Sequence, residues 1–87
     1  MSDPFTFRKF DPLDGPHVLG TLWTMTRGGR ALVCALHTHP LGWELRATVG
    51  DELARSHVCK RSTEILDVAD AWRREAITKG WTAAADA

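Results

Sequence analysis

The chain has 87 residues, 44% of them apolar and 25% charged, with eleven Lys and Arg balanced by eleven Asp and Glu. That length allows one domain with a small core, in which about 60 to 65% of the unfolded chain's surface is buried. A formal charge of zero argues against strong non-specific attraction to DNA or anionic membrane, so any nucleic-acid role has to come from a local patch.

Residues 1–17 hold Pro4, Pro12 and Pro16, with Phe5, Phe7 and Phe10 set among Asp, Arg and Lys. No helical period runs through them, Asp11 to Pro16 reads as consecutive turns, and a partly ordered N-terminal arm is expected. Val18 to Thr26 is strand-like, and Arg-Gly-Gly-Arg at 27–30 is a hairpin signal, because two Gly accept the positive φ angles of a two-residue loop. With Arg30 to His39 as the returning strand, Met25 falls opposite Leu32, Trp23 opposite Cys34 and Thr21 opposite Leu36, all on one face. Leu22, Thr24, Val33, Ala35 and His37 fall on the other. The second strand is thus apolar on both sides and belongs in the middle of the sheet.

His-Pro-Leu-Gly at 39–42 turns the chain, and Trp43 to Val49 alternates cleanly: Trp43, Leu45, Ala47 and Val49 on one side, Glu44, Arg46 and Thr48 on the other. Gly50 and Asp51 suit a second tight hairpin. Glu52 to Cys59 then returns as a fourth strand, expected to place Ala54, Ser56 and Val58 on the core side. Ser62 to Trp81 is an amphipathic helix with a stop signal. At 100° per residue Ile65, Val68, Ala69, Trp72 and Ala76 form one stripe, with Leu66 and Ile77 on its flank. Ser62 is expected to cap its start, with Glu64 at the positive end of the dipole and Lys79 at the negative end. Gly80 then ends it, and Trp81 folds back over the last turn. The expected fold is α+β: a four-stranded antiparallel meander with one C-terminal helix packed on one face, ββββα. It comprises the arm at 1–17, the domain at 18–81 and a frayed tail at 82–87.

Signals for catalysis are sparse. There is no Gly-rich phosphate loop, nucleophile elbow, paired-Cys zinc motif or Tyr in the sequence, and no enzymatic activity is expected. Cys34 is expected in the core and Cys59 on the opposite face of a strand that is not its neighbour, which argues against a bond between them. The same register aligns His37, Glu44 and His57 across three strands, with His39 and Cys59 one row further on. Two imidazoles about a carboxylate are a possible zinc set. The expectation is nevertheless a structural row, without metal or cofactor, because four His in a short chain often align by chance.

That face also carries Arg46 and Arg55, expected directly opposite each other, with Leu22, Val33, Ala35, Thr48 and Leu53 around them. Opposed like charges on a half-apolar sheet face call for something to cover them. These residues, with His37, Glu44 and His57, are the candidate binding surface. The expected function is a small non-enzymatic protein–protein interaction module: a homodimer, or the small partner or inhibitor of a larger protein, as an anti-CRISPR-like protein would be. The alternative is single-stranded nucleic-acid binding over the same face. No apolar run spans a bilayer and no signal-peptide pattern opens the chain, so a cytoplasmic location without membrane association is expected.

The ββββα order resembles, in topology, the Whirly-type single-stranded-DNA-binding folds, which implies dimers gripping a strand over a basic, aromatic sheet. The outer face here has no aromatic residue to stack a base. Pro-Leu-Gly-Trp at 40–43, with Ser-Asp-Pro-Phe at 2–5, resembles the MbtH-like partners of peptide synthetases. The Ser-Leu-Trp-Pro run of that family is missing, Trp23 being followed by Thr24.

Overall fold

The computed structural model describes residues 18–84; the arm expected at 1–17 lies outside the described residues, as do residues 85–87. Four main strands, β1 (Val18–Arg27), β2 (Arg30–His39), β3 (Gly42–Val49) and β4 (Glu52–Cys59), are followed by helix α1 (Ser62–Thr78) and a two-residue strand, β5 (Thr82–Ala83). The sheet is antiparallel in the order β4-β3-β2-β1-β5, so β2, apolar on both faces, is central. One helix packs on one face, which is the ββββα architecture that the alternation patterns predict.

The turns fix the register where they are tightest. Gly28 and Gly29 adopt φ of 57° and 79°, the two positive angles that suit a two-residue loop to the twist of its strands. Met25 accordingly pairs with Leu32 and Trp23 with Cys34. Gly42 is at φ 142°, and a Cβ there would collide with the carbonyl oxygen of Cys59. The close approach of β3 to the end of β4 therefore requires a residue without a side chain.

Three irregularities separate the sheet from the expected one; the first is at the start of β1, where Val18 pairs with His37 and Gly20 with Leu36, so Leu19 is an extra residue. In β1, Trp23 pairs with Cys34 but Thr21 with Ala35, not Leu36; Leu22 is an extra residue bulged between them. In β4, Thr48 pairs with Leu53 as expected, but Ala47 pairs with Arg55, so Ala54 is the extra residue. A one-residue shift sends every later side chain to the other face. Arg55, His57 and Cys59 therefore turn toward the helix, while Ser56 and Val58, expected in the core, turn away. The sequence of β4 permits both phases, since Ala54-Ser56-Val58 offers two apolar residues and Arg55-His57-Cys59 offers Cys59. Burial decides between them: Cys59 is fully buried opposite Trp43, and Arg55 gains a place over the helix.

The core lies between the sheet and α1. Met25, Cys34, Leu45 and Cys59 are its most buried side chains, met by Ile65, Ala69, Trp72 and Ala76 from the helix. Trp23 ties the layers together, its indole N–H donating to the Ala69 carbonyl at 3.0 Å. The helix start departs from expectation. Arg61, extended at φ −128°, is the N-cap, and Ser62 is already helical. Glu64 reaches back instead, its carboxylate accepting from the backbone N–H of Lys60 (2.8 Å) and Arg61 (3.2 Å). These bonds hold the Glu64 carboxyl below the usual carboxylate range. The helix end is as expected: Gly80 N–H donates to Ile77 O and Trp81 N–H to Ala76 O, both at 3.0 Å, the paired bonds of a Schellman stop. Beyond it the chain does not fray at once. Thr82 pairs with Thr26 and Ala83 with Met25.

Two substitutions test this frame. Gly42→Ala should cost about 1 to 3 kcal/mol, as a non-Gly residue forced into a sparsely populated backbone region does. Gly20→Ala, where an added Cβ meets nothing within 4 Å, should stay within about 0.5 kcal/mol. Urea melts of both variants against wild type make the comparison; coincident Gly42→Ala and wild-type curves would refute the close approach. Trp72→Ala should cost about 3 to 5 kcal/mol in the same assay, as truncation of a buried Trp does.

Candidate functional site

Among the described residues no element lies over the sheet face opposite α1, and the strand pairings order that face into three rows. Thr24, Val33, Thr48 and Leu53 form one; Thr21, Ala35, Arg46 and Ser56 the next; Val18, His37, Glu44 and Val58 the third. Val33, Ala35, Thr48 and Leu53 thus stand where the sequence predicts them, together with His37, Glu44 and Arg46. Leu22, Arg55 and His57 do not. Ser56 and Val58 take up the positions expected for Arg55 and His57, and only the bulge at Ala54, which leaves no composition signal, could have revealed them.

The polar centre of the face is an ion pair along β3. Arg46 Nη2 lies 3.1 Å from Glu44 Oε1, and the Glu44 side chain is only 14% exposed. The opposition of Arg46 to Arg55 expected from the sequence is absent, and the repulsion with it. Among the described residues, Arg46 Nε is buried with no hydrogen-bond acceptor. Beside the pair, His37 faces Glu44 across the strands. Burial lowers the His37 pKa below its ordinary 6.5, the Arg46 charge lowers it further, and the Glu44 charge partly offsets both.

The expected row of His37, Glu44 and His57 is therefore broken, since Val58 and not His57 follows Glu44. His57 pairs with Leu45 on the helix side, where its charge is one of the smaller influences on Glu64. Among the described residues no group of three or more His, Cys, Asp or Glu is placed to hold a metal ion. Both cysteines are free and buried, and on the same face, not opposite ones. Burial raises the Cys34 pKa to about 11; burial and the Glu64 charge raise that of Cys59. Neither thiol is a ready nucleophile at neutral pH.

Leu22 lines a shallow groove with Leu66, Asp67, Asp70 and Arg73 of the helix. Arg55 lies over the Trp72 ring, its Cζ 4.8 Å from the centroid, and donates from Nη1 to Glu75 Oε1 at 2.8 Å. Glu75 also takes Lys79 at 3.2 Å, and the two cations hold its carboxyl below the usual range. Asp70 meets Arg74 at 3.0 Å and Arg73 at 3.9 Å, the solvated helix pairs that their spacing predicts. Among the described residues no helix is long and apolar enough to cross a membrane. Comparison with family models, curated proteins and solved structures finds no match to this chain.

The half-buried His37 makes a pH prediction. Its folded-state pKa is depressed, so the unfolded chain binds the proton first. Its contribution is complete above about pH 6.5 and is lost as pH falls from there toward the folded value. Glu64 and Glu75, also depressed, add a loss in the same direction that begins only near their ordinary 4.5. NMR titration should show the His37 ring protonating below 6.5, and His37→Gln should flatten the stability slope between the two windows. A His37 midpoint at or above 6.5 would contradict this account.

Proposed function

We propose that this chain is a non-enzymatic protein-interaction module, that the sheet face opposite the helix is its binding surface, and that a second copy of the chain is the partner it fits best. The observation that carries this reading is the half-apolar sheet face over which, among the described residues, no element lies. In an isologous contact the same patch meets itself, so a second copy brings another Glu44 carboxylate toward Arg46. Val33, Ala35, Val58 and Leu53 supply apolar area around it. Four strands at ~4.8 Å spacing and eight residues at ~3.4 Å span roughly 500 Å² in projection. With side-chain relief that approaches the ~800 Å² per partner of a standard interface.

Single-stranded nucleic acid has less to hold on this face. Arg46, its central cation, is paired with Glu44, Arg55 belongs to the other side, and none of the twelve residues in the three rows is Phe, Tyr or Trp. A stacking platform needs aromatic faces and a basic groove.

Sedimentation equilibrium across a concentration series tests the proposal. The wild type should associate to a dimer that is nearly insensitive to salt, and Val33→Glu should be monomeric with an unchanged circular dichroism spectrum. Should Val33→Glu fail to fold, Thr48→Arg on the same row serves in its place. A wild type that stays monomeric throughout overturns the self-association. Co-sedimentation with a labelled single-stranded oligonucleotide, lost at high salt, would favour the nucleic-acid reading instead.

A further inference from the structure

The helix side of the sheet carries a second surface, independent of the outer face. Where the C-terminal half of α1 passes the β3–β4 hairpin, a cavity of about 150 Å³ opens, walled by Trp23, Trp72 and Trp81. Leu32, Ala47 and Val49 lie along it, and Arg55, Glu75 and Lys79 stand at its edge. An apolar cavity of this size has room for one six-membered ring, and aromatic walls receive a planar ring edge-to-face or offset.

The charges at the edge select what such a ring carries. One carboxylate faces two cations: Glu75 Oε1 is 2.8 Å from Arg55 Nη1 and Glu75 Oε2 is 3.2 Å from Lys79 Nζ. Both carboxylate oxygens are engaged, which leaves no anionic group for an incoming cation. The Trp72 face, the natural seat for a cation, already holds the Arg55 guanidinium. A guanidinium has five N–H donors, and Glu75 takes one from Nη1. The local sum is one positive charge. It outweighs the partial charge of roughly −0.5 at a helix C-terminus, whose last carbonyls here accept from Lys79, Gly80 and Trp81 N–H.

We propose that this cleft binds a small aromatic carboxylate, the ring held among the three tryptophans and the carboxylate met by Arg55 and Lys79. The bulge at Ala54 makes the site, because without it Arg55 would point away from the helix.

Phenylacetate is the probe, titrated into the full chain with tryptophan fluorescence and saturation-transfer NMR as readouts, alongside acetate and phenethylamine. Phenylacetate should produce a saturable fluorescence change and ring-proton transfer; acetate and phenethylamine should produce neither. Lys79→Gln, an exposed change that leaves the core untouched, should weaken phenylacetate several-fold. Arg55→Gln should weaken it about tenfold or more, the worth of a hydrogen bond to a charged group. An absent or non-saturating response to phenylacetate overturns the proposal, as does phenethylamine binding equally well, or affinity unchanged in both variants.

Discussion

Trp72 is buried where the helix crosses the sheet, with Ala69 and Ala76 one turn to either side letting the backbone come close. Small residues flanking one large ring allow a single helix to sit tightly on a twisted sheet. One helix has one apolar stripe, however, and a sheet has two faces. The stripe of Ile65, Ala69, Trp72 and Ala76 is spent on one of them, and every other property of the molecule follows from what the chain does with the second. It keeps β2 and β3 half-buried there with Val33, Ala35 and Thr48, and places the Arg46–Glu44 ion pair among them.

Much of this was legible in the residues. The Gly-Gly hairpin, the strict alternation from Trp43 to Val49, the helical stripe and the Gly80 stop are each dictated by local chemistry, and each stands as the sequence predicts. The bulges were not legible, because a bulge is decided by what the strand meets after it. In β4 the pattern from Ala54 to Cys59 reads equally well in either phase, and small apolar residues in one phase outweighed a single Cys in the other. The structure resolves the tie through contacts far apart in the chain: the Trp43–Cys59 pairing and the reach of Arg55 to Trp72 and Glu75. The same error placed Arg55 and His57 on the candidate surface, from which the bulge removes them. Ser62 failed as a cap for a more local reason, since Glu64 could serve two backbone N–H groups at once.

The bulge also redistributes charge between the two sides of the sheet. Had β4 continued in phase, two arginines would have faced each other outside and the cleft beside Trp72 would have lacked its cation. As built, Arg46 answers Glu44 on one side and Arg55 answers Glu75 on the other, so each face holds a locally matched pair.

The short β5 closes the molecule in another sense. β1 to β4 are joined by tight hairpins, so most strand contacts form between neighbours in the chain, a low-contact-order arrangement that assembles quickly. The return of Thr82 and Ala83 to β1 is different. It joins residues 56 positions apart, with the helix between them in the chain. It is the step that commits the last element to the first, and it rests on very few bonds, among them Ala84 N–H to Thr24 O at 3.0 Å. Such a latch opens without the core opening. Amide exchange at Ala84 would therefore report a local equilibrium far from global unfolding, while Leu45 and Cys34 would exchange only with the whole domain.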